Sequence, residues 1–204
     1  FGDKNVAVMT VAMLAGEVGY IFQNPDDQIF KSNVLDEVMF GPLNIGMTRE
    51  EAKQKAQNAL ALVGLQDKAQ ENPYDLELSE RKMVAIASVV AMDTQVVIFD
   101  EPTIAQDYPG KEKIKQLIRQ LSENGRMVIA ILHDMDFVAE SFQRVIAMAH
   151  GKVIADGTPQ EVFSRHDVLE KARLELPYVS ALCQSLGFSQ IFLKVEDFIE
   201  FCKR

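Results

Sequence analysis

Residues 96–103 read VVIFDEPT, and this stretch decides the fold. Its first four residues are apolar, and a short continuous apolar run is typical of a strand buried inside a parallel sheet. We predict a strand over residues 95–99, followed directly by the carboxylates of Asp100 and Glu101. Ligands of open α/β sheets bind at the carboxyl ends of the strands. The stretch therefore predicts a buried strand that ends in an acidic site.

Two further predicted strands also end in polar side chains. Residues 17–22 form a predicted strand that ends before Gln23, and residues 127–132 form one that ends before His133. Strands alternate with helical patterns along the chain, and this order favours right-handed parallel crossovers. The predicted fold class is α/β, a parallel sheet with helices packed on it.

The helices are predicted from their caps and their periodicity. Thr48 and Glu51 form a capping box, and the helix that they start ends at Gly64. Ser79 is predicted to cap a second helix, which is apolar on nearly every side and therefore buried. A third helix is amphipathic. The three predicted helices span residues 48–63, 80–92 and 111–124.

The residues at the strand ends suit a nucleotide triphosphate. A carboxylate such as Asp100 can hold Mg²⁺, and a neighbouring Glu101 can orient the attacking water. Gln23 can reach both metal and water, and His133 can donate to a γ-phosphate. Each residue also has an ordinary interpretation: an acidic pair can be a turn, a histidine can be a surface residue, and Ser79 can be only a helix cap.

Taken in order along the chain, these motifs resemble those of ABC transporter ATPases over residues 18–163. The resemblance implies an ABC-type P-loop NTPase fold, an ATPase activity, and ATP and Mg²⁺ as cofactors. By the same resemblance the metal ligands are Asp100 and Gln23, and the catalytic residues are Glu101 and His133. It further implies that Leu78-Ser79 opens the signature helix, and that Ser79 and the D-loop Asp107 act with the nucleotide.

A narrower resemblance points to energy-coupling factor importers of vitamins or transition-metal ions. Residues 23–30, QNPDDQIF, and residues 40–42, FGP, resemble the ATPases of these importers. Residues 174–177, LELP, resemble their C-terminal extension. The expected partners are a second ATPase subunit, identical or paralogous, a transmembrane coupling protein that contacts residues 23–30, and a substrate-binding membrane protein. The expected location is the cytoplasmic face of the membrane.

The sequence departs from the family pattern because no Gly-x-x-x-x-Gly-Lys-Ser/Thr loop occurs in it. Backbone N–H groups and the lysine of that loop bind the phosphates of the nucleotide. We therefore expect an N-terminal segment to be missing from this sequence, and tight ATP binding to require it. Residues 1–4 are predicted as a strand and turn.

A second departure is the signature, which reads LSERK at residues 78–82 in place of Leu-Ser-Gly-Gly-Gln. Glu80 adds a negative charge near phosphate, and we expect Arg81 and Lys82 to offset it, leaving an altered composite site. Ala105-Gln106 is a third departure, which we expect to matter little.

Composition limits the function classes. The chain has 21 basic and 30 acidic residues and a net charge of −9, which argues against binding nucleic acid by charge. We predict an ATPase domain over residues 1–164, with a helical subdomain at about residues 26–92, and a mainly helical appendage over residues 165–204. A non-catalytic docking fragment or degenerate-site partner is the alternative function.

Overall fold

The structure is a computed structural model that describes residue 2 and residues 5–188 and 190–203. The chain folds as two compact units, Phe1–Ile131 and Leu132–Arg204. The strand and turn predicted at residues 1–4 lie outside the described residues, apart from Gly2. Within the described ranges, every helix is too short or too polar to cross a bilayer.

The first unit contains the predicted parallel sheet. Its strands are β1 (Val18–Ile21), β2 (Val96–Asp100) and β3 (Met127–Ile131), in the order β1-β2-β3 with both pairings parallel. Ile21 pairs with Phe99, and Asp100 pairs with Ile131. The register therefore brings the carboxyl ends of the three strands to one edge, which confirms the predicted α/β class.

The first unit also contains helices. They are α1 (Val11–Leu14), α2 (Val34–Asn44), α3 (Arg49–Val63), α4 (Leu78–Val90) and α5 (Tyr108–Glu123). Helix α4 packs against β1, and α5 packs against β3. The capping box of α3 is confirmed, since the Thr48 side chain accepts from the Glu51 N–H and the Glu51 carboxylate accepts from the Thr48 N–H at 2.9 Å. Gly64 ends α3 with a φ of 74°, a left-handed conformation that glycine adopts without strain.

The start of α4 differs from its prediction. The helix begins at Leu78, and Glu77 in extended conformation precedes it, so the predicted cap at Ser79 is wrong. The Glu77 N–H donates to the Glu80 carboxylate at 3.2 Å, and this contact satisfies a backbone donor two residues earlier than we predicted. Ser79 lies in the first turn. The rest of α4 is buried without interruption from Lys82 to Val89, which confirms the predicted burial.

Helix α5 also begins earlier than predicted, at Tyr108 instead of residue 111. Asp107 is its cap, because one of its carboxylate oxygens accepts from the Gly110 N–H at 2.8 Å. Ile114, Leu117 and Ile118 form the buried face that the amphipathic pattern predicts.

The two faces of the sheet differ in exposure. Ile21, Val97 and Phe99 lie on one face, and each is at most 2% exposed. The opposite face of β3 exposes Ile129 by 45% and Ile131 by 49%. Parallel sheets normally have both faces covered, whereas this face of β3 is open in the described residues.

The second unit combines a β-hairpin with short helices. Its elements are α6 (Met135–Ser141), β4 (Val145–Ala149), β5 (Lys152–Gly157), α7 (Pro159–Phe163), α8 (His166–Ala172), α9 (Tyr178–Ser185) and α10 (Val195–Cys202). Residues 144–150 and 152–155 are predicted as a hairpin that turns at Gly151, and the antiparallel pairing of β4 with β5 confirms it. Gly151 has a φ of 73°. The helices from α8 onward agree with the predicted mainly helical appendage. The domain boundary at residue 164 stays a prediction.

Candidate nucleotide site

Glu101 occupies a strained position directly after β2. Its φ is 45°, in the left-handed region, and the residue is only 6% exposed. Its N–H donates to the Ile131 carbonyl at 3.0 Å and so ties the turn to the end of β3. A non-glycine residue in this conformation costs about 1–3 kcal/mol, and such strain clusters at functional sites. Five non-glycine residues of the described chain have a positive φ, and Glu101, the residue that the sequence predicts to be catalytic, is the buried one among them.

Asp100 is the last residue of β2 and is half-buried at the sheet edge. The Tyr20 hydroxyl donates to its Oδ2 atom at 2.7 Å, across from the neighbouring strand β1. This hydrogen bond, with burial and the charge of Asp100, raises the pKa of Tyr20 above its ordinary value. The phenol therefore remains a donor at neutral pH and fixes the orientation of the carboxylate. The sequence did not reveal this pair, because the two residues are separated by 80 positions.

Gln23 lies on an exposed loop two residues after β1. Its backbone carbonyl accepts from the Nζ atom of Lys82 at 2.7 Å. Lys82 is 1% exposed, and its ammonium also donates to the carbonyls of Phe22 at 2.8 Å and Asp100 at 3.3 Å. Burial lowers the pKa of Lys82 to about 8, while the charges of Asp100 and Glu101 act in the opposite direction.

The role predicted for Lys82 in the signature therefore changes. We expected its charge to offset Glu80 near phosphate, but the ammonium points at backbone carbonyls at the ends of β1 and β2. Arg81 pairs with Asp26 at 3.0 Å, and Glu80 pairs with Lys68 at 3.1 Å. The offset to Glu80 comes from a lysine outside the signature.

The loop after β1 is anchored by side chains that sequence reasoning missed. The Gln28 side chain accepts from the Phe22 N–H at 3.1 Å and donates to the Ala85 carbonyl of α4 at 2.8 Å. The buried Glu37 carboxylate of α2 accepts from the Phe30 N–H at 3.0 Å. Two helices therefore fix the loop that carries Gln23.

The segments that carry Ser79 and Asp107 are joined by a hydrogen bond from a third residue, Gln106. Gln106 donates from its side-chain amide to the Ser79 carbonyl at 3.1 Å. This contact joins the first turn of α4 to the segment before α5, so Gln106 has a packing role that we did not expect. Asp107 itself is exposed and caps α5.

His133 belongs to the second unit and follows β3 by two residues. Its side chain is exposed. Its assignment to the nucleotide site stays a prediction.

The donors at the sheet edge fit a magnesium–nucleotide complex. They are hard oxygen atoms from carboxylates and an amide, which Mg²⁺ prefers. Within the described residues, no cluster of three or more His, Cys, Asp and Glu side chains is gathered. Few protein ligands suit Mg²⁺, because this ion keeps several waters and is bound largely through substrate phosphates.

The topology and the acidic sheet edge define an α/β protein of the P-loop NTPase fold class. The family model described as ABC transporter matches residues 2–104. An energy-coupling factor transporter ATP-binding protein, EcfA2 of Streptococcus thermophilus, is 35% identical over 190 residues, 90% of this chain and 68% of that protein. The chain belongs to the ABC transporter family.

A second relative and a solved structure are also similar to this chain. The energy-coupling factor transporter ATP-binding protein EcfA of Methanocaldococcus jannaschii is 41% identical over 170 residues, 83% of this chain. This chain spans 61% of that relative's length. The solved structure of cbiO1 from Clostridium perfringens, a part of the ABC transporter complex cbiONQ, has a TM-score of 0.68 and 34% identity. The alignment covers 84% of this chain and 68% of cbiO1.

Proposed function

We propose that this chain is the ATP-binding and hydrolysing part of a subunit that powers an energy-coupling factor importer of a vitamin or a transition-metal ion. The carrying observation is the strained, buried Glu101 directly after Asp100, at the edge where β1, β2 and β3 end. The names of the EcfA relatives support the energy-coupling factor system, and the description of cbiO1 as part of an ABC transporter complex supports a role in transport.

Each site residue has a proposed role. Asp100 and Gln23 hold Mg²⁺ at the sheet edge, and Glu101 orients the attacking water and accepts its proton. His133 donates to the γ-phosphate. Mg²⁺ held at the sheet edge would neutralise charge on the phosphates. Ser79 and Asp107 act near the nucleotide of a partner subunit, Ser79 from the first turn of α4.

The test is the substitution Glu101→Gln in a version of the chain that carries an N-terminal Gly-x-x-x-x-Gly-Lys-Ser loop. We expect hydrolysis to fall by about 10²–10⁴-fold, as for the loss of a general base, while ATP stays bound. The control is Glu123→Gln, which changes an exposed carboxylate at the end of α5 and should leave the rate unchanged. Equal rates for Glu101→Gln and the parent protein would contradict the assignment.

We further propose that a transmembrane coupling protein contacts the chain beside the Gln23 loop, at the cytoplasmic face of the membrane. A cleft of about 610 Å³ lies there between β1, α2 and α4. It is lined by Phe22, Phe30 and Phe40, which are 43%, 55% and 37% exposed. Exposed aromatic side chains of this kind are enriched in interfaces. Co-purification with the membrane partner should fall for Phe40→Ala, and retention at the parental level would contradict the contact.

The second candidate is a partner with a degenerate site, which binds a membrane protein without hydrolysing ATP. The observation that favours it is the start of α4, where Glu77 and Glu80 place two carboxylates in the region predicted to meet phosphate. A helix N-terminus attracts anions, and these charges oppose that attraction. The test measures ATP hydrolysis by the loop-bearing chain and by its Glu77→Ser variant, each alone and each mixed with a paralogous subunit. Hydrolysis only in the mixtures would favour the degenerate partner.

A further inference from the structure

Lys82 is a charged side chain in the interior of the first unit. It is 1% exposed and lies among the apolar residues of α4. Transfer of an ammonium from water to such a place is strongly unfavourable unless its donors are satisfied. An apolar side chain of the same length would pack at this position without that cost.

The surroundings of Lys82 account for its three N–H donors. They are accepted by the carbonyls of Phe22, Gln23 and Asp100 at 2.8, 2.7 and 3.3 Å. An ammonium has three donors, so these contacts use its full capacity. Two of the acceptors belong to the segment after β1, and the third ends β2.

The contacts with Lys82 engage backbone oxygens only. Lys82 therefore holds the two backbones without engaging the Gln23 amide or the Asp100 carboxylate, whose Oδ2 atom accepts from Tyr20. Gln23 needs such support because it lies on an exposed loop, outside any strand. A site performs well only when its groups are held to within about 0.5 Å, and supporting residues around the ligands provide that precision.

We propose that Lys82 is a positioning residue, which holds the Gln23 loop against the end of β2 so that the Gln23 amide and the Asp100 carboxylate bind one magnesium–nucleotide complex. This proposal rests on the proposed function. Because Lys82 belongs to α4, it also couples the position of this helix to the geometry of the metal ligands.

The experiment uses the loop-bearing chain and compares Lys82→Met, Lys82→Arg and Lys55→Met. Lys55 is an exposed lysine, 44% accessible and paired with Asp93, and serves as the control. We expect Lys82→Met to raise the Mg²⁺ concentration for half-maximal hydrolysis by about tenfold or more, as loss of a supporting contact does at metal sites. Lys82→Arg should recover part of this loss, and Lys55→Met should cause none.

A second readout separates positioning from general damage to the fold. Binding of ATP in EDTA should be equal for the parent and Lys82→Met, because the metal is absent from that measurement. An unchanged Mg²⁺ dependence in an active Lys82→Met variant would overturn the proposal. A parent protein that hydrolyses no ATP would instead overturn the proposed function, so the two failures are distinguishable.

A measurement on the unsubstituted 204-residue chain covers the case in which Lys82→Met does not fold. The Lys82 ammonium protons should give a ¹⁵N-correlated NMR signal protected from exchange with water, and the Lys55 ammonium should not. Exchange as fast as that of Lys55 would show that the three carbonyl contacts do not persist, and would overturn the positioning role.

Discussion

Glu101 combines a backbone conformation that favours glycine with a side chain that the proposed chemistry requires. Its φ of 45° costs stability, and its N–H is fixed to the Ile131 carbonyl at 3.0 Å. The neighbouring Asp100 is oriented by Tyr20 and held through its carbonyl by Lys82. The backbone strain at Glu101 therefore lowers the stability of the fold, and it accompanies a carboxylate at the place where a ligand would bind.

The backbone strain predicts an unusual order of stability among variants at this position. Glu101→Ala and Glu101→Gly both remove the carboxylate, but only glycine relieves the left-handed strain. We expect Glu101→Gly to be more stable than Glu101→Ala by about 1 kcal/mol, measured by urea unfolding. At Gln116, an exposed residue inside α5, substitution by the same two residues should show the opposite order, because alanine is the better helix former. A lower stability for Glu101→Gly than for Glu101→Ala would refute the strain.

Helix α4 is the element that connects the parts of the site. It carries Lys82, receives the Gln28 side chain at Ala85 and packs against β1. The close approach to β1 depends on Gly19, since a Cβ atom there would meet the Val89 side chain and lie 3.0 Å from the Thr94 hydroxyl. The placement of Lys82 next to the loop after β1 follows from this contact.

The contact of α4 with β1 can be tested by adding one methyl group. We expect Gly19→Ala to lower the free energy of unfolding by about 1–3 kcal/mol, because overpacking displaces the helix from the strand. Gly16→Ala is the control, since a Cβ atom there has nothing within 4 Å. The double variant Gly19→Ala/Val89→Ala should recover part of the loss. The stabilities of the parent and the three variants are measured by thermal or urea unfolding. Equal stability of Gly19→Ala and the parent would contradict the close packing.

At the scale of the molecule, the chain combines a net charge of −9 with an exposed apolar face on β3. Met127, Ile129 and Ile131 alternate along this strand and are 60%, 45% and 49% exposed. Charge repulsion opposes association of the chain, whereas a contiguous apolar face favours it.

We expect the apolar face to dominate at high salt, where charge repulsion is screened. The 204-residue chain should then self-associate in sedimentation experiments, and Ile129→Thr should reduce the associated fraction several-fold. Ile146→Thr is the control, because this residue of β4 is 51% exposed and lies in the other unit. Equal reductions by the two substitutions would mean that general surface polarity, not the β3 face, sets association.

The sequence by itself determined the features that depend on neighbouring residues. The apolar run before Asp100 specified a buried strand, Thr48 and Glu51 specified the start of α3, and Gly151 specified the hairpin turn. Each is a local matter of side-chain period or backbone conformation, so it can be read along the chain. The proposal of a nucleotide site also came from motifs that are read along the chain.

Only the tertiary structure decided the contacts that join distant segments. No periodic signal in the sequence indicates the contact between Tyr20 and Asp100, which are 80 residues apart. The same holds for the contacts of Lys82 with the ends of two strands. Helix α4 starts earlier than predicted because the Glu77 N–H donates to the Glu80 carboxylate, so Glu77 and not Ser79 precedes the helix. Burial determines the function of a polar side chain such as Lys82, and burial is set by the packing of the whole first unit.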